Sequence, residues 1–491
     1  MVSATSLLVA LIVPFLTVCI LFVRKRYTFW TRQGIPSVET RFPLGHIQHS
    51  SHLMVDLYRQ LKGRHPFGGI FRFTEPVALV TDPKMVRNVI VRDFRYFYDR
   101  GGYANAAHDL LSGSLLNGEG KQWATIRQAT VGLFSTVKLK AMYPAMVQMV
   151  DRFRMVLNAK LTQESEVKID LKEWLSRLTV DIVSCVLLGI EANSLNDQEG
   201  GLYGLIGRQT FLVPKLWELF LMTSFRPLAK AIGLRIYPRE LGELFHRMTQ
   251  DMIEYRKKHL DVQRNDLVDR LFNLTKTDEG GRRLTEHGIA ANVYGFLAAG
   301  YETTSTTVSY CLLELAKQPD LQERARKCAM DTWDKYGELT YESLFDMPYI
   351  DQCLNETLRK YPPGINIIRV VTEDYAVTGT HFVLRKGTHV IVPVYAIHHD
   401  EEYYPDPERF DPERFTPEAC GARKPYTFLP YADGPKMCVA HRMGKMQVRL
   451  LLAMLLCRYR FEWCPETQIA LSNAHTVIRM RDGLLVKVLR L

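Results

Sequence analysis

The sequence predicts a mainly α protein with a small β portion, set behind one N-terminal membrane-spanning helix. Three observations predict it. Residues 1–23 carry no charged side chain, their apolar heart reads LLVALIVPFLTVCILFV, and Arg24, Lys25 and Arg26 follow at once. From about Leu53 onward apolar residues return at helical spacing over long stretches, as in LFHRMTQDMIEYRKKHL and LDVQRNDLVDRLFNL. Only short β-type runs interrupt them: IFRFTEPVALVTD early and FVLRKGTHVIVPVYAI late. The chain has 491 residues, 47% of them hydrophobic, enough for a large core. No linker-like break, low-complexity tract or repeat follows residue 50, so one large domain is expected over 46–491.

The elements follow in chain order. A membrane helix needs about 20 apolar residues, which residues 1–23 supply, and Pro14 is tolerated inside one. The basic flank keeps to the cytosolic side by the positive-inside rule, so the bulk of the protein is expected to face the cytosol. A cleaved signal peptide would carry its charges before the apolar run and a small-residue site after it, the reverse of what stands here. Residues 24–45 form a basic connector whose stretch TRQGIPSVETRFPLGH is punctuated by Gly34, Pro36, Pro43 and Gly45, a composition that suits a stiff spacer. Further on, TFLVPKLWELFLMTSFRPLAKAIGL at 210–234 reads equally as core or as a second patch dipping into the membrane.

Charge and cysteine usage narrow the function classes. The net charge of +10 favours acidic proteins or anionic lipid as partners. The basic residues are dispersed and no nucleic-acid motif is present, so nucleic acid is not expected. The nine cysteines are an odd number with no CxxC pair, which argues against a disulfide scaffold and a structural zinc site and fits a reducing compartment.

Three stretches carry chemistry. In FLPYADGPKMCVAHRMGKMQ, Cys438 ends a Pro/Gly loop, with Lys436 nearby and a helix starting just after it. A positive charge and a helix N-terminus both stabilise a thiolate, which suits an axial haem ligand or equally a nucleophile. In FLAAGYETTSTTVSY, Ala299 and Thr303 are four apart and share a helix face, with Gly300 and Glu302 between them. Such a face leaves room for a flat ligand, and also suits close helix packing. In NETLRKYPP, Glu356 and Arg359 are three apart on one helical turn, and Arg414 of the downstream DPERFDPERF can join them in a buried network.

In this order and spacing the pieces resemble the cytochromes P450, the haem-thiolate monooxygenases, over effectively the whole chain. Stretches such as DFRYFYDRGGY and RMGKMQVRL are similar to insect microsomal members active on xenobiotics and lipids. The resemblance implies a triangular α-helical prism with Cys438 as the axial ligand of haem b. It implies an oxygen-binding groove and proton relay at Ala299, Gly300, Glu302 and Thr303. Propionate contacts are implied at Trp123 and Arg127 in GKQWATIRQ, at Arg369 and at Lys436, and a structural network at Glu356, Arg359 and Arg414. The implied reaction inserts one atom of O2 into a lipophilic molecule, xenobiotic, steroid or fatty-acid-like, at the endoplasmic reticulum membrane. No nucleotide fingerprint is present, so electrons are expected from an NADPH-cytochrome P450 reductase, with cytochrome b5 as a further partner. Lys138, Lys140, Arg423, Lys424, Lys445 and Arg449 are candidates for the basic docking face.

The loop departs from the family at three places: Tyr431 stands where Phe is usual, Lys436 where Arg or His is usual, and Ala440 where Gly is usual. Lysine keeps the charge and loses the planar fork. These departures raise a second hypothesis, a haem-thiolate sensor, scavenger or decayed copy without monooxygenation, against which Glu302 and Thr303 stand. A peroxide isomerase or dehydratase would lack the groove threonine. A cysteine hydrolase would need a histidine motif beside Cys438.

Overall fold

The long apolar stretch around FLAAGYETT folds as a single helix of 32 residues, Glu286–Lys317, through the middle of the molecule. Thr285 caps its start, its hydroxyl accepting from the Gly288 N–H at 3.0 Å. A helix apolar on all sides must be covered on all sides. Helices Leu171–Val183, Arg239–Lys258, Pro348–Lys360 and His441–Leu456 pack around it. The structure, a computed structural model, describes residues 4–491 other than 41–43, 47–50, 163–164, 198, 200, 208, 260–263, 277–283, 468–470, 472–476, 479 and 481–482.

The strands are β1 (Phe67–Arg72), β2 (Glu75–Val80), β3 (Glu166–Asp170), β4 (Ile367–Val370), β5 (Tyr375–Ala376), β6 (Val383–Leu384), β7 (His389–Val392), β8 (Tyr459–Trp463) and β9 (Leu485–Arg490). They form sheets ordered β1-β2-β7-β4, β3-β9-β8 and β5-β6. In the first sheet β1 and β2 are an antiparallel hairpin from Phe67↔Val80 to Arg72↔Glu75, and β4 meets β7 with Arg369 opposite Val390. This small sheet brings Arg369 to the side of the helical core.

The architecture is the mainly helical one with a minor sheet portion that the pattern predicts. Details differ locally. IFRFTEPVALVTD is two strands, because Phe73 takes φ 53° and turns the chain between them. The end of FVLRKGTHVIVPVYAI leaves the sheet at Pro393 and continues as a short helix, Val394–His398, since proline cannot donate to a ladder. Within LDVQRNDLVDRLFNL, residues 260–263 lie outside the described residues, and Asp266 caps a helix only from Leu267 to Asn273.

The N-terminal helix runs Ala4–Tyr27, past the expected end of the anchor, and ends in Arg24, Lys25 and Arg26. Among the described residues no helix is long and apolar enough to cross a membrane, and much of this helix's side-chain surface lies outside that description. The connector behind it is stapled to the domain. Trp30 is buried and its indole donates to the Ile70 carbonyl at 3.0 Å. Gly69 admits that ring, since a Cβ there would sit 2.3 Å from it. Segment 210–234 folds into helices Leu216–Ser224 and Arg226–Ala231. It touches the N-terminal helix through Phe22 and Phe225, whose rings stack at 5.9 Å. Leu216, Trp217, Leu228 and Ile232 of that segment are exposed.

Candidate functional site

The long helix is buried almost throughout, yet four positions at its middle are accessible: Gly295, Ala299, Gly300 and Thr303. Residues 295, 299 and 303 recur at four-residue spacing, so they form one stripe bordering an interior space. Thr303 turns its hydroxyl back to the Ala299 carbonyl at 2.8 Å. Gly300 serves a different purpose. A Cβ there would lie 3.0 Å from Val183, so glycine is what lets the Leu171–Val183 helix approach.

Cys438 follows a 3-10 turn, Gly434–Lys436, and precedes the helix His441–Leu456. Gly434 is required by both geometry and space: φ is +71° and a Cβ would fall 2.0 Å from the Ile90 carbonyl oxygen. The Cys438 N–H donates to the Tyr431 carbonyl at 3.0 Å, closing the loop. Cys438 is accessible, yet burial pushes its thiol up, the combination expected of a side chain facing an enclosed space. Two influences pull the other way: the Ala440 N–H bonds to it and the Arg127 charge lies near. Sequence reasoning gave the stabilising charge to Lys436. The turn instead carries Lys436 away, so that its ammonium sits 3.8 Å from the Trp123 ring centre and 5.2 Å from that of Tyr98.

That ammonium belongs to a cluster of cations. Lys436 and Arg369 are each more than nine-tenths buried, and the Lys436 Nζ and Arg369 Nε have no hydrogen-bond partner. Burial and then the neighbouring arginines push Lys436 down to about 7 and Arg369 to about 9. Arg100, which sequence reasoning missed, is driven to about 10 by burial and by Arg127. Buried cations that repel one another, with the Lys436 ammonium and the Arg369 Nε left unbonded, call for anionic groups among them. Two carboxylates on the edge of a flat group, over a cysteine and a stripe of small residues, meet that need. The residues fit a haem, whose propionates Arg100, Arg127, Arg369 and Lys436 would hold.

Glu302 lies off the accessible stripe. It is buried against Lys172, whose ammonium stands 3.1 Å from the carboxylate and donates to Ser305 Oγ at 2.6 Å and Ser176 Oγ at 3.1 Å. Lys172 had no signal in the sequence, because its ionic partner Glu302 lies 130 residues away.

Glu356, Arg359 and Arg414 are brought together. Arg359 is fully buried and pairs bidentately with Glu356, both bonds 2.7 Å, and donates to the His398 and Pro407 carbonyls at 3.0 and 2.8 Å. Arg414 Nε stands 3.6 Å from Glu356, an ion pair too long for a hydrogen bond. Of the expected docking cations, Arg449 is buried and pairs with Asp351, its Nη2 at 2.7 Å, so it is not a surface group. Arg423 stacks over Phe415 at 4.2 Å. Lys445 is half-buried over Tyr431, and Lys140 pairs with Glu342.

An accessible thiol at the start of a helix, a stripe of small residues on the long central helix and a cluster of buried cations, in a mainly helical domain, fit a haem-thiolate protein. The cytochrome P450 family model matches residues 36–488. The chain is 36% identical over 467 residues to "Cytochrome P450 6A1" of Musca domestica, covering 92% of this chain and 91% of that one. It is 34% identical over 495 residues to "Probable cytochrome P450 6a13" of Drosophila melanogaster, covering 97% and 98%. "Cytochrome P450 6a2" of Drosophila melanogaster is 32% identical over 494 residues, covering 95% and 96%. The chain belongs to the cytochrome P450 family and is a monooxygenase of it. Membership implies haem ligated by a cysteine thiolate.

Proposed function

We propose that this monooxygenase inserts one atom of O2 into a lipophilic small molecule, xenobiotic, steroid or fatty-acid-like, using electrons from an NADPH-cytochrome P450 reductase, with cytochrome b5 as a further donor. The observation that carries this reading is the accessible but deeply seated Cys438 with Arg127 near it, together with the buried Lys436 and Arg369, whose Nζ and Nε lack hydrogen-bond partners. Haem b, when bound, supplies oxygen activation at an iron whose thiolate ligand donates electron density and favours O–O cleavage.

The chain's own residues do the rest. Cys438 would ligate the iron, and the Ala440 N–H and the Arg127 charge favour its thiolate against the burial that opposes it. Arg100, Arg127, Arg369 and Lys436, the last with its ammonium over the Trp123 ring, would hold the propionates and neutralise their charge. Ala299 leaves room for a small gas molecule. Thr303 holds a proton at Oγ1, and must exchange its bond to the Ala299 carbonyl for one to a ligand in the interior space. Glu302 stands behind it, turned aside by its ion pair with Lys172. Glu356, Arg359 and Arg414 brace the proximal loop.

The N-terminal helix anchors the protein in the endoplasmic reticulum membrane, with Arg24, Lys25 and Arg26 on the cytosolic side. The exposed Leu216, Trp217, Leu228 and Ile232 beside it rest on the bilayer, so lipophilic substrate arrives from lipid.

The test is spectroscopic. The reduced protein under carbon monoxide is expected to show the red-shifted Soret band of a thiolate-ligated haem, and Cys438→Ala to abolish it. An imidazole-type spectrum, or no haem after reconstitution, overturns the ligand assignment. Substrate-dependent NADPH consumption with added reductase is then expected. Its absence with an intact band assigns the chain to the sensor or scavenger class.

A further inference from the structure

A second concavity lies away from the cysteine, at the end of the β1–β2 hairpin opposite its turn. It is a cleft of about 610 Å³, within the roughly 300–1,000 Å³ of small-molecule sites. Six cationic side chains line it against two carboxylates. Those carboxylates are already engaged. Asp82 caps a helix, accepting from the Lys84 and Met85 N–H groups at 2.7 and 3.1 Å. Glu402 is shared by Lys62 at 2.7 Å and Lys424 at 3.4 Å. Arg92 pairs with Asp93 at 2.7 Å. Arg64, Lys84 and Arg87 remain, all exposed and without a hydrogen bond or ion pair from their side chains among the described residues. A concavity of one sign between low-dielectric walls concentrates counter-ions.

The chemistry of the occupant follows from what else lines the cleft. Arginine forks bind phosphate oxygens in pairs, and lysine adds a point charge. Tyr403, the aromatic ring of a possible stacking surface, already carries Lys62 and Lys424 over it at 4.6 and 5.0 Å. A nucleobase therefore gains little there. Membrane lipid is on the wrong side. Tyr27 of the N-terminal helix bonds to Phe73 at the hairpin turn, 2.9 Å, and Phe73 meets Phe220 of the exposed apolar segment at 5.3 Å. The cleft takes in His65, Pro66, Thr81 and Asp82 at the far end of those strands, about 17 Å away at roughly 3.3 Å per residue.

We propose that this cleft binds a small soluble polyanion, a molecule carrying two or more phosphate groups, through Arg64, Lys84 and Arg87. The site is independent of the haem reading and is tested on the full-length holoprotein in neutral nanodiscs. Tripolyphosphate titrated calorimetrically at about 150 mM salt is expected to bind saturably with one molecule per chain. The triple variant Arg64→Gln, Lys84→Gln, Arg87→Gln is expected to lose affinity by at least about tenfold. Lys327→Gln, an exposed lysine elsewhere that pairs with Asp331, is expected to bind like the parent protein. All three cleft side chains are exposed, so folding is expected to survive, checked by an unchanged carbon monoxide spectrum. Absence of saturable binding, or equal binding by the triple variant, overturns the proposal. So does binding that occurs only to phosphorylated lipid headgroups in the nanodisc, or only to an acidic protein and not to tripolyphosphate.

Discussion

Two regions of the molecule hold the interior space between them, and they are built from opposite materials. On the cysteine side, Arg359 and Glu356 form a fully buried ion pair whose remaining donors go to the His398 and Pro407 carbonyls. On the other side, the loop 103–118 is joined to segment 225–237 mostly by bonds to backbone. Tyr103 donates to the Leu234 carbonyl at 3.0 Å and Asn105 to that of Lys230 at 3.2 Å. Arg226 donates to the Gly101 carbonyl at 2.6 Å, and Asp109 accepts from the Ile236 N–H at 2.8 Å and the Tyr237 N–H at 3.3 Å. Breaking the first region leaves a buried charge alone. The second can open one bond at a time, each worth about 0.5–1.5 kcal/mol net. The difference gives a rigid floor and a looser distal wall, the division of labour a site needs when its substrate must enter and its metal must not move.

The largest effect is expected where the comparison is sharpest. Arg359→Leu removes the bidentate partner of the buried pair and leaves the Glu356 carboxylate only the Asp411 N–H and the longer Arg414 contact, a loss of about 3–5 kcal/mol. Denaturant unfolding followed by circular dichroism measures it. A loss no greater than that of an exposed ion pair would mean that the cysteine-side region is not the rigid one.

The distal wall is expected to respond less and more locally. Asp109→Ala strands the Ile236 and Tyr237 N–H groups, costing about 1–3 kcal/mol if neither finds water. Hydrogen exchange is expected to accelerate in 225–237 with little change near Arg359. Uniform acceleration would show that the two regions unfold as one.

The same contrast explains what the sequence made legible. Glu356 and Arg359 are three residues apart and both charged, so their pairing is written in one helical turn. Cys438 announces itself through the glycine and proline that its turn requires, and Ala299 with Thr303 through helical spacing. Trp123 and Arg127 came only through the family resemblance. Apart from Arg414, which a downstream motif placed with Glu356, what escaped were interactions whose partner is distant or is a backbone atom. Lys172 meets Glu302 across two helices, Arg100 joins its cluster only through the fold, and the distal wall bonds to carbonyls that any residue carries. Arg449 misled for the converse reason. A basic residue looks solvent-facing until a partner such as Asp351, 98 residues away, is found beneath it.

The smallest expected effect concerns pH, and it too separates the regions. His389 lies at the distal end of β7, where the Arg226 guanidinium stands 3.0 Å from its Nε2. Burial, then Arg226 and Arg72, push it down to about 3, against about 6.5 in an unfolded chain. The unfolded chain therefore binds the extra proton between those values, and stability falls as pH drops from about 6.5 toward 3. The slope from this one group is at most about 1.4 kcal/mol per pH unit. His398, held far below its ordinary value by burial and by His399, acts in the same direction on the cysteine side. His389→Gln keeps an acceptor for Arg226 and removes the proton site. Its unfolding free energy is expected to decline less steeply than the parent's between pH 6 and 5, with the change confined to exchange rates in 225–237. An unaltered slope would place the acid sensitivity on the cysteine side, where burial also holds His398 and His399 below their ordinary value.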